Sequence, residues 1–134
     1  MNKKTALTKI MLVDDDDDTL TIAKYCLEQL QDVEIKYLHS GEEAVKEALS
    51  FNPDMILLDV MMPKMDGIAT LKALRLLPST AHVPVVFFTA KTQQEELSNY
   101  RQMGIVDVIT KPFDPMTFAT RILGIWDRYQ SQQK

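Results

Sequence analysis

The sequence predicts an α/β fold: an open parallel sheet with helices on both faces. Five short, mostly apolar segments alternate along the chain with five amphipathic segments. Continuously apolar strands are typical of parallel sheets covered on both faces, and the alternation favours right-handed crossovers. A length of 134 residues fits one domain. We expect residues 1–134 to form that domain, with a core at about residues 9–129 and a polar, frayed tail at residues 130–134.

The first strand is predicted at residues 10–13 and the first helix at residues 19–30. Asp18 or Thr19 can cap the start of this helix, because both side chains accept hydrogen bonds from free backbone N–H groups. The apolar residues of the helix recur at helical spacing and share one face. They are Leu20, Ala23, Leu27 and Leu30.

The second strand is predicted at residues 33–38, and a second helix begins near Ser40. Ser40 with Glu43 three residues later forms a capping-box pattern. The helix is expected to end near Phe51, because an Asn-Pro pair follows it. Residues 55–58 form the third predicted strand, which is apolar throughout.

The second half of the chain continues the same alternation. A loop at residues 61–67 leads into a third helix that is expected to end near Leu77, and residues 85–88 form the fourth strand. The fourth helix is predicted at residues 92–103, with Gly104 supplying a left-handed cap.

The last unit is a strand at residues 106–110 and a helix at residues 115–129. The apolar side of this helix consists of Phe118, Ile122, Ile125 and Trp126. Packing of this side into the core of the subunit is favoured, and homodimerisation through it is the open alternative.

Charge and composition exclude several classes of protein. Hydrophobic residues make up 46% of the chain and charged residues 25%, with a net charge of −4, so direct binding to nucleic acid is not expected. No apolar run approaches the roughly 20 residues of a membrane span, and the basic start lacks the apolar segment of a secretory signal. The only cysteine, Cys26, is predicted to be a packed thiol. A cytoplasmic location is the expectation.

Polar side chains stand where four of the predicted strands end. Asp14 and Asp15 follow the first strand, Asp59 the third, Thr89 the fourth, and Lys111 the fifth. In an open parallel α/β sheet, ligands bind outside the carboxyl ends of the strands. We therefore expect three carboxylates, a hydroxyl and an ammonium to meet at one edge.

This set of groups can hold a divalent cation and carry a phosphoryl group. Mg²⁺ takes oxygen ligands from one or two carboxylates and keeps several waters, so Asp14 and Asp15 are predicted metal ligands, with Mn²⁺ as an alternative ion. Asp59 stands among apolar residues, where a carboxylate costs several kcal/mol unless it is paired or metal-bound. It is the predicted nucleophile of an aspartyl-phosphate. Asp16 and Asp17 are expected to be solvated loop charges.

Thr89 and Lys111 are predicted to contact the phosphoryl group. The threonine hydroxyl can donate a hydrogen bond to a phosphoryl oxygen, and the lysine supplies a point charge. Pro112 fixes the turn after Lys111, and an X-Pro bond is where a cis peptide costs least.

Four segments of the chain together resemble the receiver domain of response regulators in two-component signal transduction, the CheY-like superfamily. Each segment alone is a weak signal, but all four in this order and spacing are specific, and the resemblance covers about residues 9–129. It implies a flavodoxin-like (βα)5 fold with strand order 2-1-3-4-5. The segments are residues 10–16 (Ile-Met-Leu-Val-Asp-Asp-Asp), 57–67 (Leu-Leu-Asp-Val-Met-Met-Pro-Lys-Met-Asp-Gly), 88–90 (Phe-Thr-Ala) and 110–113 (Thr-Lys-Pro-Phe).

The resemblance also implies a mechanism. Asp59 would accept a phosphoryl group from a sensor histidine kinase, a phosphotransfer protein or a small phosphodonor. Mg²⁺ would be held by Asp15, Asp59 and the backbone carbonyl of Met61, with Asp14 acting through water. The domain would not be an enzyme beyond its own phosphorylation and dephosphorylation.

By the same resemblance, Thr89 and Lys111 would bind the phosphoryl oxygens, and the bond from Lys111 to Pro112 would be cis. Their movement would change the affinity of the face formed by the fourth helix, fifth strand and fifth helix for a downstream protein partner. The chain departs from the family at the switch position, where Val108 replaces the usual aromatic residue. A small side chain displaces little when it swings, so we expect weaker or different coupling.

Met61 and Lys91 stand two residues after Asp59 and Thr89, and they resemble the pair of positions that tunes dephosphorylation in this family. Because the thioether of Met61 cannot orient a water molecule by hydrogen bonding, a comparatively long-lived phosphoryl group is expected.

Two rival functions stay open at this point. The segment that begins at Asp15 also fits the D-x-D-x-T-L motif of haloacid-dehalogenase-like phosphatases, with Asp15 as nucleophile and Asp17 as acid/base. However, no acidic pair for metal binding follows Lys111, and that mechanism has no use for Asp59. The second rival is a receiver fold that serves as a docking module without phosphorylation.

Overall fold

The computed structural model describes residues 5–90 and 94–132, in which five strands alternate with five helices. The strands are β1 (Lys9–Val13), β2 (Glu34–Leu38), β3 (Met55–Asp59), β4 (Val85–Thr89) and β5 (Asp107–Thr110). The helices are α1 (Asp17–Leu27), α2 (Gly41–Phe51), α3 (Gly67–Arg75), α4 (Gln94–Arg101) and α5 (Phe118–Gln132). In the same part of the chain, no helix combines the length and the hydropathy that a bilayer crossing needs.

The five strands form one parallel sheet in the order β2-β1-β3-β4-β5. This confirms both the α/β class and the flavodoxin-like strand order. The chain moves outward from β1 to β2 and then returns to the other side of β1 with β3. The carboxyl ends of β1 and β3 therefore lie next to each other where the strand order reverses, which is the position of ligand sites in open α/β sheets.

An apolar layer covers each face of the sheet. Ile10 and Leu12 of β1 pack with α1 and α5 on one face, while Met11 and Val13 pack with α2, α3 and α4 on the other. All four side chains are fully buried, as alternation along a strand between two helical layers requires. Cys26 lies in the first layer, which confirms the prediction of a packed thiol.

Helix α1 begins two residues earlier than predicted, because Asp16 rather than Asp18 or Thr19 caps it. The Asp16 carboxylate accepts hydrogen bonds from the Asp18 N–H and the Thr19 hydroxyl. Asp16 is exposed, as predicted for a solvated charge, and it caps the helix in addition. Its backbone is extended, so its side chain can reach the free N–H groups of the first turn.

The capping box at the start of α2 is confirmed with one difference. The Ser40 hydroxyl accepts a hydrogen bond from the Glu43 N–H at 3.1 Å. The Glu43 carboxylate in turn accepts one from the N–H of His39, the residue before the cap, at 2.9 Å. The expected end of the helix at Phe51 is also confirmed.

Helices α3 and α4 end earlier than predicted. α3 ends at Arg75 instead of near Leu77. Beyond Arg75 the backbone makes only hydrogen bonds between residues three positions apart, from the Leu76 and Leu77 N–H groups. α4 ends at Arg101, and a turn leads to Gly104, whose φ of 82° is the predicted left-handed conformation. The predicted start of this helix at residue 92 lies outside the described residues.

Helix α5 continues to Gln132, so the predicted frayed tail was wrong for residues 130–132. The Gln130 side chain accepts a hydrogen bond from the Thr5 N–H, and the Trp126 indole donates one to the Thr5 carbonyl, both at 2.8 Å. These bonds hold the end of the helix against the N-terminal segment. The rest of the predicted tail, residues 133–134, lies outside the described residues.

The apolar side of α5 is buried within its own subunit. Phe118, Ile122 and Trp126 are 2%, 0% and 7% exposed. Core packing, which the sequence favours, is therefore confirmed, and these three side chains are not available to a dimer interface.

Candidate functional site

The carboxyl edge of the sheet brings three aspartates together. Asp14 directly follows β1, and Asp59 is the last residue of the neighbouring strand β3. One carboxylate oxygen from each of Asp14, Asp15 and Asp59 lies within 4.8 Å of the others. The convergence that the strand ends predict is therefore present for all three acids.

Asp14 is fully buried and held at both carboxylate oxygens. Its Oδ1 accepts a hydrogen bond from the Asp16 N–H at 2.9 Å, and its Oδ2 lies 2.6 Å from the Lys111 ammonium. The cap of α1 and the end of β5 thus fix the carboxylate from opposite sides. A buried charge is tolerated only with partners of this kind.

Asp59 is 2% exposed and lies 3.3 Å from the Lys111 ammonium. Its Oδ1 also accepts a hydrogen bond from the Met61 N–H at 3.2 Å. Burial, followed by the negative charge of Asp14, raises the pKa of Asp59 from 3.8 to about 7, against the opposing effects of Lys111 and the Met61 N–H. The carboxyl therefore gains a proton near neutrality when no further positive charge is present.

Lys111 bridges the two buried carboxylates. Burial lowers the pKa of its ammonium, but the hydrogen bond and charge of Asp14, with those of Asp59, outweigh burial and raise it overall. The ammonium also lies 5.0 Å from the centre of the Phe88 ring, a cation–π contact. The group therefore stays charged at physiological pH.

The backbone at the ends of β4 and β5 positions the other two predicted groups. Thr89 is fully buried at the end of β4, and its carbonyl accepts a hydrogen bond from the Lys111 N–H at 2.8 Å. The bond from Lys111 to Pro112 is cis, as the resemblance implies. The hydroxyl and the ammonium are thus carried by neighbouring, hydrogen-bonded chain segments.

The exposed acids of the run differ in their position relative to this cluster. Asp15 is exposed, so it forms the solvent side of the carboxylate group. Asp17 is also exposed, in the first turn of α1, and its carboxylate pairs with the His39 imidazole at 3.0 Å. Asp17 is therefore a solvated charge, as predicted, with a local partner on the next loop.

The predicted switch and tuning residues occupy different environments. Val108 is buried in the layer that α4 covers. Met61, whose backbone N–H contacts Asp59, is 58% exposed, and Pro112 is exposed as well. Lys91 lies outside the described residues.

Two residues contribute to the site without having been predicted. Phe88 lies beneath the Lys111 ammonium, and Gly67 lies so close to the Asp59 carbonyl that a Cβ atom there would be 2.3 Å from the oxygen. The Asp-Gly pair before the third predicted helix could have indicated that the backbone at Gly67 approaches another segment closely. A phenylalanine in an apolar strand carries no signal of this kind.

The donor set fits a small divalent cation. Three carboxylates face a single ammonium, which leaves surplus negative charge, and all the donors are oxygens, which Mg²⁺ prefers. Asp15 keeps one side of the cluster open to water, and Mg²⁺ retains several waters in most protein sites.

Comparison with known proteins gives consistent matches. The family model of the response regulator receiver domain matches residues 10–123. The chain is 37% identical over 128 residues to the alkaline phosphatase synthesis transcriptional regulatory protein PhoP of Bacillus subtilis (strain 168), covering 96% of this chain and 50% of that protein. It is 38% identical over 122 residues to the transcriptional regulatory protein CpxR of Escherichia coli (strain K12), covering 91% and 50%.

The chain thus spans about half the length of these curated relatives. Among solved structures it is similar to the receiver domain of the sensor histidine kinase PA1611 from Pseudomonas aeruginosa PAO1. The TM-score is 0.79 at 27% identity, covering 95% of this chain and 100% of that chain. That protein holds a magnesium ion coordinated in its active site cleft.

Proposed function

The chain belongs to the family of response regulator receiver domains, and from this premise we propose that it accepts a phosphoryl group on Asp59. The observation that carries the proposal is the placement of this carboxyl. It is almost fully buried, 3.3 Å from a lysine ammonium, and grouped with two further carboxylates. Residues 1–134 act as a single receiver domain in this proposal.

In the proposed step, a carboxylate oxygen of Asp59 attacks the phosphorus of a phosphohistidine on a sensor histidine kinase or phosphotransfer protein. The new O–P bond gives an aspartyl-phosphate. The N–P bond breaks, its electron pair stays on the imidazole nitrogen, and that nitrogen takes up a proton. A small phosphodonor such as acetyl phosphate reacts in the same way, with acetate as the leaving group.

Lys111 and Thr89 receive the transferred group. The Lys111 ammonium already contacts Asp59, so it can pair with a phosphoryl oxygen without a large movement. The Thr89 hydroxyl, at the end of the strand next to that of Asp59, donates to a second oxygen. Charge stabilisation of this kind is the main contribution of proteins to phosphoryl transfer.

Mg²⁺ is the proposed cofactor, with Mn²⁺ as a substitute. Asp15, Asp59 and the backbone carbonyl of Met61 would hold it, with Asp14 acting through water. The grouping of the three carboxylates and the magnesium ion in the related PA1611 receiver domain support this assignment. When bound, the ion neutralises charge on Asp59 and on the incoming phosphoryl group.

The proposed output is a change in affinity of the α4–β5–α5 face for a downstream protein. The bond between the Thr89 carbonyl and the Lys111 N–H links the ends of β4 and β5, so a pull on either residue is transmitted to this face. Val108 is small and buried, so its own rotation displaces little. We therefore assign more of the coupling to the strand ends than to this side chain, and we propose neither nucleic acid nor membrane as a direct partner of the domain.

The test is phosphorylation by acetyl phosphate in the presence of Mg²⁺, followed by intact-mass measurement. Wild type is expected to gain the mass of one phosphoryl group, and Asp59→Asn is expected to gain none. Asp18→Asn is the matched control, because Asp18 is an acid of the same run outside the carboxylate cluster. It is expected to be labelled like wild type.

Reduction of the acyl phosphate with borohydride identifies the labelled residue. Label on Asp59 supports the proposal, whereas label on Asp15 would indicate the chemistry of a haloacid-dehalogenase-like phosphatase and overturn it. A chain that takes no label but still binds its partner would be a docking module. The family match and the exposure of Asp15 against the burial of Asp59 disfavour the phosphatase.

A further inference from the structure

An apolar groove runs along α3 on the face of the molecule that α4 covers only in part. It has a volume of about 410 Å³ and is lined by Ile68, Leu71, Lys72, Arg75, Leu76 and Met103. Its apolar side chains include Leu76, which is 84% exposed. An exposed leucine at the mouth of an apolar groove is the kind of feature that marks a protein interaction site.

The groove lies on the outer side of α3. Leu71 and Leu74 of α3 are buried in the core, and Ile68 is partly buried against it, whereas Leu76, the residue after the helix, is exposed. Among the described residues of α4, only Tyr100 is buried. Ile68, Leu71 and Leu76 therefore form an apolar lining on this side of the molecule.

The polar part of the groove is positively charged. Lys72 is exposed, and it takes part in none of the ion pairs recorded among residues 5–90 and 94–132. The Arg75 guanidinium donates to the carbonyls of Thr80 and Val83 at 3.2 and 2.7 Å, which leaves its charge without a facing carboxylate. The lining contains two cations and no acid, although the chain as a whole has a net charge of −4.

We propose that this groove binds an acidic amphipathic helix of a partner protein. Apolar side chains of the helix, spaced three or four residues apart, seat on Ile68, Leu76 and Met103, and its carboxylates pair with the two cations. The groove extends from Ile68 in α3 to Leu76, the residue after the helix, a distance of about 12 Å along the helix axis. This length accommodates about two turns of a docked helix. Met103 adds a flexible, polarisable wall that adapts to different apolar side chains.

The inference goes beyond the proposed phosphoacceptor function and does not depend on it. The groove residues belong to the outer side of α3 and the turn after α4, whereas the carboxylates belong to the ends of β1 and β3. Binding can therefore be measured on unphosphorylated protein, and a failure of one proposal leaves the other standing.

The probe is a synthetic, fluorescein-labelled amphipathic peptide of about four helical turns, with leucines at helical spacing and glutamates on the flanks of that stripe. Fluorescence anisotropy measures its binding to the full chain. We expect saturable binding that weakens with salt, and no binding of a second peptide in which every glutamate is replaced by lysine.

Variants locate the site. Leu76→Ser and Lys72→Glu are each expected to weaken binding by roughly tenfold or more. Leu49→Ser and Lys46→Glu are the matched controls, because Leu49 is 57% exposed and Lys46 is exposed on α2, outside the groove. Each control is expected to change the affinity by less than about twofold. Leu76 is on the surface, so a thermal melt equal to that of wild type will show that the variant is folded.

Three results would overturn the proposal. One is that the acidic peptide does not bind, or binds no better than the basic peptide. Another is that Lys72→Glu binds as tightly as wild type. The third is light scattering that gives a dimer for wild type and a monomer for Leu76→Ser, because the groove would then be occupied by a second copy of this chain.

Discussion

At the scale of single residues, the site contains more negative than positive charge, because Lys111 alone cannot neutralise the carboxylates around it. Its ammonium contacts both Asp14 and Asp59, but it can neutralise only one of them. Because Asp14 is fully buried and paired at the shorter distance, the deficit falls on Asp59. Burial, followed by this excess of negative charge, raises the pKa of Asp59 to about 7.

This balance predicts how the stability of the metal-free protein depends on pH. Asp59 ionises with an ordinary pKa of 3.8 when unfolded and with a pKa of about 7 when folded. Between these values the folded state holds a proton that the unfolded chain has released. The contribution of Asp59 to stability is therefore fully present below about pH 4, falls as pH rises, and is lost above about pH 7.

Asp59→Asn, which cannot ionise, is expected to melt several degrees above wild type at about pH 8 in buffer with a chelator. The difference corresponds to at most about 4 kcal/mol and is expected to shrink at about pH 5. Asp18→Asn, at an exposed position outside the cluster, is expected to shift the melting temperature equally at both values. An Asp59→Asn protein no more stable than wild type at about pH 8 would contradict this account of the site.

At the scale of elements, the start of α3 is built against the end of β3. The Gly67 N–H donates to the Val60 carbonyl at 2.9 Å, and the Asp66 side chain caps the helix through the Ala69 N–H at 2.8 Å. A Cβ on Gly67 would lie 2.3 Å from the Asp59 carbonyl oxygen and 2.7 Å from the Val60 Cα. Both atoms belong to the backbone, so no side-chain rotation can relieve the contact.

Gly67→Ala is therefore expected to lower the free energy of unfolding by about 2 kcal/mol or more and to slow phosphorylation, because α3 must move away from the carboxylate cluster. Gly124→Ala is the matched control within α5, where an added Cβ has no atom within 4 Å. It is expected to stabilise the protein by about 0.5–1 kcal/mol, since alanine is the better helix former. Denaturant unfolding measures both, and equal effects of the two substitutions would refute the close-approach argument.

The sequence predicted the existence and order of the elements better than their ends. Ser40 with Glu43 marks the start of α2 correctly, because a single local pattern decides it. Asp16 caps α1 instead of its neighbours, and no pattern distinguishes one aspartate from another within a run of five. At the end of α5, Gln130 is ordered by the Thr5 N–H, a contact across 125 positions of the chain that helical periodicity cannot reveal.

At the scale of the whole molecule, the parallel sheet brings residues that are distant in the sequence, but each at the end of a strand, to one edge. Asp14, Asp59 and Lys111 were predictable because each ends a strand, and strands in register deliver their ends to one edge. Phe88 and the α3 groove were not predictable in this way. The first depends on how a lysine that follows another strand lies across its ring, and the second on how residues 68–76 and Met103 come together in space.

We expect residues at the same edge of the sheet to influence how long a phosphoryl group on Asp59 would persist. Hydrolysis of an aspartyl-phosphate requires a water molecule in line with the bond that breaks. The backbone N–H of Met61 donates to the Asp59 carboxylate, and Met61 is 58% exposed to solvent. The thioether of Met61 offers only a weak acceptor with which to hold and orient a water molecule.

Met61→Asn is expected to shorten the half-life of the aspartyl-phosphate several-fold, because the amide can hydrogen-bond and orient the attacking water while the backbone of the loop is unchanged. Met116→Asn is the matched control, since Met116 is an 86% exposed methionine near the start of α5 that contacts none of the three carboxylates through a recorded hydrogen bond or ion pair. The decay of phosphorylated protein after removal of acetyl phosphate measures both. Equal half-lives for Met61→Asn and wild type would show that access of water to phosphorus is set elsewhere, and the duration of the signal would then be a property of other groups at this edge.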